Sequence, residues 1–237
     1  MIFGENKYLI SGNGAEVYDI EKKETIYSNY ISKDKVLDII KICEENSIYY
    51  SIYTENSIIT TSLNYNVLFY HNENSLKQNS EKVNINIVEN LYKYIEDSDI
   101  KNYSKITICD RDKAIFGSII RILKNMRNVD VLDVTHMSRK VIKYGTEDID
   151  VEYFYTEIMS LNVNKWNAVS FLIDKLGIKQ DEVIAIGDNI NDKEMIENAG
   201  LGVAMGNSSE YVKSIAKVVV SDNNNDGVAY AINKYTV

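Results

Sequence analysis

The spacing of apolar residues separates the middle of the chain from its last third. In the middle, short runs rich in β-branched and aromatic residues alternate with segments whose apolar residues recur every three or four positions. The first pattern is typical of strands and the second of amphipathic helices. We predict strands at 47–53, 66–70, 106–109, 129–134 and 152–159, and helices at 33–43 and 114–126. This mixture predicts an α+β unit, a sheet with helices on one side.

The last third alternates regularly between the two patterns. An amphipathic helix is predicted at 165–176 and is expected to end at Gly177. The other predicted elements are strands at 182–186, 201–205 and 217–220 and helices at 193–198 and 209–216. This alternation predicts a doubly wound parallel sheet. At the front of the chain, a short strand from Tyr8 is expected to run into the turn Gly12-Asn13-Gly14.

The candidate chemistry lies in the turn from Gly187 to Asp192. Ligands of open parallel sheets bind beyond the carboxyl ends of the strands, and this turn follows a predicted strand and begins a helix. Asp188 is placed to hold a hard cation such as Mg²⁺, which usually binds one or two carboxylates. Asn191 and Asp192 fall at the helix N-cap, where they can bond helix amides or reach the water shell of the ion. Taken alone, the hexapeptide is better explained as a well-capped turn.

The wider pattern favours a functional interpretation. The motifs at 187–195, 199–207 and 226–229, together about 40 residues long in the family pattern, resemble the closing third of Cof-type (subfamily IIB) phosphatases of the haloacid dehalogenase superfamily. Lys165 stands where that family has a conserved lysine, and Asn13-Gly14-Ala15 resembles the family segment that precedes an inserted cap domain. The resemblance covers essentially the whole chain.

The resemblance implies a function and a set of site residues. It implies a Mg²⁺-dependent phosphohydrolase of small phosphorylated metabolites, such as sugar phosphates. The implied roles are neutralisation of phosphoryl oxygens by Lys165, metal binding by Asp188 and Asp192, and substrate or phosphate binding by Asn191, Asn13 and Asn207. The alternative is a non-catalytic binding module.

The resemblance also implies the fold. It predicts an α/β haloacid dehalogenase-like, Rossmannoid parallel sheet with an inserted α+β cap. The core is expected at 1–24 and 160–237, and the cap at 25–159.

The front of the chain departs from the family pattern. The strand that ends in Asp-x-Asp-Gly-Thr, whose first Asp attacks phosphorus, has no counterpart, nor has the next strand with its Ser or Thr. We therefore expect an incomplete sheet without its first two strands, an N-terminally truncated gene product, and no turnover by this chain alone. Self-association or a complementing N-terminal fragment would fill the gap.

Two other acidic segments are weaker candidates. Asp110-Arg111-Asp112 follows a predicted strand, but it lacks the Gly-Thr of the nucleophile motif and falls inside the expected cap. The run Asp222-x-Asn224-x-Asp226-Gly227 copies half of a calcium loop, yet its twelfth position is Asn233 instead of glutamate. We interpret the second segment as a surface turn.

Composition limits the remaining functions. The net charge of −9 argues against nucleic-acid binding, which needs concentrated Lys and Arg. The cysteines Cys43 and Cys109 stand alone, as expected for buried thiols in a reducing compartment, and His71 and His136 are isolated, so a zinc site is not expected. With neither a signal peptide nor an apolar run of membrane-spanning length, the protein is predicted to be cytoplasmic.

Overall fold

The computed structural model of the chain describes residues 7–132, 138–144 and 147–236. These residues divide into two compact units. Unit 1 consists of the described residues within 1–28 and 163–237, and unit 2 consists of those within 29–162. Unit 2 is therefore an insertion in the sequence of unit 1, and its boundaries lie a few residues from those predicted for a cap.

The described part of the chain contains thirteen strands and eight α-helices. The strands are β1 (Tyr8–Ser11), β2 (Glu16–Asp19), β3 (Glu24–Ser28), β4 (Tyr49–Thr54), β5 (Ile58–Thr60), β6 (Ile85–Ile87), β7 (Tyr103–Asp110), β8 (Val129–Val131), β9 (Ser138–Tyr144), β10 (Glu147–Ser160), β11 (Ile184–Gly187), β12 (Leu201–Ala204) and β13 (Val218–Val219). The α-helices are α1 (Lys33–Glu45), α2 (Tyr65–Asn74), α3 (Leu91–Asp97), α4 (Lys113–Lys124), α5 (Lys165–Leu176), α6 (Lys193–Asn198), α7 (Glu210–Ile215) and α8 (Gly227–Tyr235).

Unit 1 contains a parallel sheet and a separate antiparallel one. The parallel sheet has the order β11-β12-β13, and the antiparallel sheet has the order β1-β2-β3. Consecutive residues of β12 face opposite helices: Val203 packs in a cluster with Ala231 of α8, whereas Ala204 packs with Ile196 of α6 and Val212 of α7. Helices cover both faces of this sheet, as the alternating pattern predicted.

Unit 2 is built on one larger sheet. Its strand order is β6-β5-β4-β7-β10-β8, and β9 pairs with β10. The main core joins α1, α3 and α4 to one face of this sheet through Tyr50 and Ile52 of β4, Ile106 and Ile108 of β7, and Ile158 of β10. The first and last parts of unit 2 are joined, because the Asn29 side-chain amide donates to the carbonyl of Leu161 at 3.0 Å.

Two predictions for the middle region are wrong. The segment predicted as a strand at 66–70 lies in α2, because Val67 is fully buried and Tyr65 and Leu68 pack on the sheet around Cys109. Burial of this face outweighs the β preference of the aromatic residues. The second wrong prediction is that the helices lie on one side of the sheet. Helix α2 packs on one face, whereas α1, α3 and α4 pack on the other.

The remaining element predictions differ from the structure mainly at their ends. The helices α5 and α6 have the predicted bounds, and Gly177 ends α5 in the left-handed conformation with φ of 65°. Strand β8 ends at Val131, and predicted strand residues 133–134 lie outside the described residues, as does His136. The hairpin strands β2 and β3, the short elements β5, β6 and α3, strand β9 and helix α8 were not predicted.

Candidate active site

The polar turn lies where β11 ends in the parallel sheet. Asp188 follows β11 directly and is exposed, whereas Asp192 is buried with 3% of its surface exposed. Lys165 is the first residue of α5, which begins there because the Asn164 side chain accepts a hydrogen bond from the Asn167 amide at 2.8 Å. The Asn164 cap was not predicted, although an Asn before an apolar helix is a recognisable start signal.

Asp192 is the most heavily engaged side chain of the site. Its Oδ1 accepts a hydrogen bond from Lys165 Nζ at 2.5 Å, and its Oδ2 accepts from the backbone amides of Asp188 at 2.9 Å and Asn189 at 3.0 Å. It does not cap α6, although it stands at the N-cap position. Its carboxylate points back to the turn and fixes both the lysine and the loop.

A glycine is required beneath this carboxylate. A Cβ atom at Gly187 would lie 2.4 Å from Cβ of Asp192 and 2.7 Å from its Cγ, which is closer than packed atoms approach. A side chain at this position would therefore displace Asp192 and the lysine bonded to it.

The turn at the front of the chain lies against the same site. Asn13 has φ of 58°, and its side-chain Oδ1 accepts a hydrogen bond from Nδ2 of Asn191 at 3.1 Å. Gly14 has φ of 101°, and a Cβ there would lie 2.2 Å from the Asn164 carbonyl oxygen. The Gly-Asn-Gly turn is thus packed on the start of α5, which carries Lys165.

The third predicted substrate- or phosphate-binding residue also lies here. Asn207, in the loop after β12, donates from Nδ2 to Oδ2 of Asp188 at 3.3 Å and accepts the Asn223 amide at 3.2 Å. The structure therefore brings together the six side chains that the sequence singled out, all in unit 1. These residues are Lys165, Asp188, Asp192, Asn191, Asn13 and Asn207.

The oxygen atoms of the turn suit Mg²⁺ better than a metal that requires several protein ligands. Asp188 offers an exposed carboxylate, and the buried Oδ1 of Asn191 has no hydrogen-bond partner among the described residues. No cluster of three or more His, Cys, Asp or Glu side chains suited to an ion occurs within 7–132, 138–144 and 147–236. Mg²⁺ keeps several waters and takes one or two carboxylates, so it does not need such a cluster.

The two weaker acidic segments have structural roles. Asp112 N-caps α4 in unit 2 by accepting hydrogen bonds from the amides of Ala114 and Ile115. In unit 1, Asp222 Oδ1 accepts from the Asn224 amide and from Nδ2 of Asn225 in an exposed turn. Both contacts are ordinary turn and cap chemistry.

The arrangement defines an α/β protein with a cluster of polar side chains at the end of a parallel sheet. A family model for haloacid dehalogenase-like hydrolases matches residues 3–232, and the chain belongs to that family. It is 27% identical to phosphatase YwpJ of Bacillus subtilis over 96% of this chain and 79% of that protein. A Haemophilus influenzae protein is 49% identical over 75 residues, which are 32% of this chain and 29% of that one.

A solved structure confirms the predicted fold. A haloacid dehalogenase subclass IIB sugar phosphatase matches 96% of this chain and 76% of its own with a TM-score of 0.67, and at 18% identity it shows the fold alone. The match of the family model does not by itself support the predicted loss of a front segment, which stays a prediction. Among the described residues, no helix has the length and apolar character needed to cross a membrane.

Proposed function

We propose that unit 1 carries the Mg²⁺ and phosphate half of a phosphohydrolase site for small phosphorylated metabolites. The observation that carries the proposal is the bonding of Asp192, which ties Lys165 to the turn that presents Asp188. A positive group and an exposed carboxylate are thereby held beside each other at the end of β11. Such fixed charges can act on a phosphoryl group without reorganising.

Each residue has a distinct role in this proposal. Lys165 Nζ has three N–H donors, of which one goes to Asp192, and its side chain is 32% exposed. It can therefore donate to a phosphoryl oxygen while it stays fixed. We assign Asp188 as the metal-holding carboxylate and Asp192 as a positioning residue, because both oxygens of Asp192 already accept hydrogen bonds. When bound, Mg²⁺ would supply positive charge against the phosphoryl oxygens.

The asparagines complete the pocket in this proposal. Asn191 joins the front turn to the motif loop through Asn13, and its unpartnered Oδ1 suits a water of the metal shell. Asn207 orients Asp188 through its side-chain amide. These contacts support positions for water, phosphate and carboxylate, since Asn13 and Asn191 are bonded to each other and Asn207 is bonded to Asp188 from another loop.

Covalent turnover requires an attacking carboxylate, and in this proposal Asp188 and Asp192 already have other roles. We propose that the chain alone binds Mg²⁺ weakly and hydrolyses nothing, and that a complementing segment or a second copy supplies the nucleophile. In the described sheet, β11 pairs with β12 on one edge, and Ile184 and Ile186 remain half-buried. An added strand along the other edge of β11 would cover them. A cytoplasmic location is part of the proposal, supported by the buried free thiols of Cys43 and Cys109.

The test measures metal binding and turnover separately. Titration calorimetry with MgCl₂ is expected to show binding that Asp188→Asn weakens and that Asp174→Asn, a change at an exposed Asp of α5, leaves unaltered. Assays with p-nitrophenyl phosphate and sugar phosphates are expected to show no Mg²⁺-dependent release of phosphate. Turnover that Asp188→Asn abolishes would contradict the predicted inactivity, and an absence of Mg²⁺ binding would contradict the site itself. Binding of a small molecule that carries no phosphate group would favour the alternative, a non-catalytic binding module.

A further inference from the structure

The two faces of the sheet in unit 2 are covered differently. One face, lined by polar and aromatic side chains such as Tyr49, carries α2 and a cavity of about 160 Å³. Lys105 and Glu157 belong to the wall of this cavity and form an ion pair at 2.5 Å, so charge is balanced there. The other face carries α1, α3 and α4, which we call the helix layer. The outer surface of the helix layer carries charges that are not balanced in this way.

Helix α1 lies in the middle of the helix layer. It contacts both α3 and α4, and it lies on β4 and β7 at the centre of the sheet. Helix α4 connects β7 to β8 and contacts both strands, so it lies towards the β8 edge. The chain enters α3 from the opposite edge, where the Val88 amide donates to the carbonyl of Thr60 in β5 at 2.9 Å. Helices α3 and α4 therefore lie on either side of α1.

The segment that contains α4 is basic, although the chain as a whole is acidic. Residues 111–127 hold five basic side chains and one acidic one, whereas the whole chain has a net charge of −9. The acidic residue, Asp112, is engaged in capping α4. All five basic residues are exposed, and they are Arg111, Lys113, Arg121, Lys124 and Arg127. The outer surface of α4 is therefore positively charged.

Contacts within unit 2 do not account for this surface. In the part of the chain that the structure describes, no ion pair involves Arg121 or Arg127. Lys113 lies in the first turn of α4, where a cation opposes the helix dipole. Ile115 and Ile122 lie two turns apart on the same helix and are 46% and 45% exposed. A basic face with two exposed isoleucines suits contact with an acidic surface that also has an apolar part.

The region around α3 has the opposite charge and contains a groove. Residues 89–99 hold one basic side chain, Lys93, and four acidic ones. Lys93 pairs with Asp97 at 3.8 Å, and both side chains are exposed, so the pair is weak. An open groove of about 640 Å³ is lined in part by Glu89, Asp97 and Tyr94, which is 38% exposed. The groove thus offers carboxylates and an aromatic ring. The four acidic residues are Glu89, Glu96, Asp97 and Asp99.

We propose that the helix layer is the interface of a homodimer. A two-fold axis along α1, in the plane of the interface, places α3 of each copy against α4 of the other. The basic face of α4, with Ile115 and Ile122, then meets the acidic groove and the Tyr94 ring of the second copy, and the same contact forms twice. Contact of α4 with α4, or of α3 with α3, would bring like charges together. A second copy fits as the occupant because this chain carries both complementary surfaces.

The size of the helix layer sets the strength of the dimer. A helix of 12 residues such as α4 is about 18 Å long, and three helices side by side span about 27 Å, so each copy buries roughly 500 Å². The total of about 1,000 Å² is at the weak end of specific interfaces. We therefore expect a reversible dimer that forms at micromolar or higher concentrations and weakens as salt rises. The inference does not depend on the proposed function of unit 1.

Sedimentation velocity of the full-length chain tests the dimer. Between about 5 and 500 µM protein in low salt, the average mass is expected to rise from one copy towards two. About 0.5 M NaCl is expected to return it towards one copy. Lys113→Glu/Arg121→Glu reverses two charges of α4, and Glu89→Lys/Asp97→Lys reverses two charges of the groove. Each double variant alone is expected to raise the dimer Kd at least about tenfold.

A matched control and a mixture sharpen the test. Lys175→Glu/Lys179→Glu makes the same change of charge at two exposed lysines of unit 1 and is expected to leave the dimer Kd unchanged. An equimolar mixture of the α4 variant and the groove variant has opposite charges at both contacts. It is expected to dimerise with a Kd close to that of the wild type, which also shows that neither variant has lost its fold.

Three results would overturn the inference. One is a wild-type chain that stays monomeric at about 500 µM in low salt. Another is a dimer that neither charge reversal weakens, because its interface would then lie elsewhere, for example along β11. The third is binding of the monomeric chain to phosphatidylserine vesicles that Lys113→Glu/Arg121→Glu abolishes, which would assign α4 to an anionic lipid surface.

The outcome is separable from that of the proposed function. Asp188→Asn is expected to leave the dimer Kd unchanged, because Asp188 belongs to unit 1. Lys113→Glu/Arg121→Glu is expected to leave the binding of Mg²⁺ unchanged, because both residues belong to unit 2. Weakening of the dimer by Asp188→Asn would place the interface in unit 1 and contradict the assignment to the helix layer.

Discussion

The two units each hold a lysine–carboxylate pair with the same separation in very different surroundings. Lys165 and Asp192 in unit 1, and Lys105 and Glu157 in unit 2, are both 2.5 Å apart. The Asp192 side chain is 5% exposed and also accepts hydrogen bonds from two backbone amides, whereas the Glu157 side chain is 14% exposed and belongs to a regular strand. The first pair organises a loop, and the second balances the charge of a cavity. The distance within an ion pair therefore says little about its role until the other contacts are counted.

The largest expected difference between the two pairs is the loss of stability when the Asp192 carboxylate is removed. Asp192→Ala leaves Lys165 and the amides of Asp188 and Asn189 without their acceptor, so unit 1 is expected to lose about 3 kcal/mol of unfolding free energy. Urea unfolding followed by fluorescence of Trp166, the single tryptophan and a residue of unit 1, measures this loss. The exposed pair of Lys213 and Glu210 provides the control, because Glu210→Gln is expected to cost less than about 1 kcal/mol. Equal losses for the two variants would contradict the organising role of Asp192.

Gly187→Ala reaches the same pair by steric means. The added methyl group meets Cβ and Cγ of the buried Asp192, and the expected loss is about 1–3 kcal/mol in the same Trp166 assay. Gly117→Ala is the matched control, because a Cβ there meets nothing within 4 Å and Gly117 lies inside α4. Because Gly117 belongs to unit 2, its expected gain of about 0.5–1 kcal/mol is read from the reactivity of Cys43 and Cys109 in urea, and the Trp166 signal should not change. A neutral result at Gly187 would show that the turn can shift away from Asp192.

Glu157→Gln tests the pair in unit 2. The substituted amide keeps an oxygen acceptor for Lys105 but removes the counter-charge, so a loss of about 1–2 kcal/mol is expected. The rate at which Cys43 and Cys109 react with a thiol reagent in urea reports unfolding of unit 2, since both cysteines belong to it. Trp166 fluorescence should barely change. A larger effect on Trp166 than on the thiols would contradict the assignment of the two pairs to separate units.

The effect confined to the narrowest range of conditions is a dependence of stability on alkaline pH. Burial raises the pKa of Tyr49 on the polar sheet face to about 12, above the value of about 10 in an unfolded chain. The folded state holds this proton more tightly. Its contribution is therefore fully present below about pH 10 and is lost as pH rises from about 10 to about 12. Thermal unfolding at several alkaline pH values measures this, and Tyr49→Phe should flatten the decline; an unchanged slope would argue against it.

The last third of the chain was predictable because local signals and packing agree there. Residues 165–176 have an apolar face, an Asn before the start and a Gly after the end, and the helix has those bounds. Strand β11 and helix α6 likewise follow from an apolar run, a polar turn and a short amphipathic segment. The residue types of the site were equally visible, since Lys165 and the 187–192 turn carry a recognisable order.

The remainder depends on contacts that no local pattern contains. The β-rich composition of Tyr65–Asn74 indicated a strand, but burial of Val67 against the sheet makes it a helix. Asp192 was expected to cap a helix or bind a metal, and only the folded turn shows its hydrogen bonds to Lys165 and two amides. The cavity in unit 2 was invisible because its walls come from α2 and four strands that are far apart in sequence.

The hydrogen bond from Asn29 to Leu161 gives the insertion the geometry of a loop closed at its base. Because the two ends of such a segment are already adjacent, the segment can be removed from the chain with little change in closure entropy. Its ends can also be joined by a short linker and new termini made elsewhere in it. Residues 29–162 are therefore a natural module for circular permutation or transplantation, and the chemistry of unit 1 can diversify by exchanging this module without rebuilding its sheet.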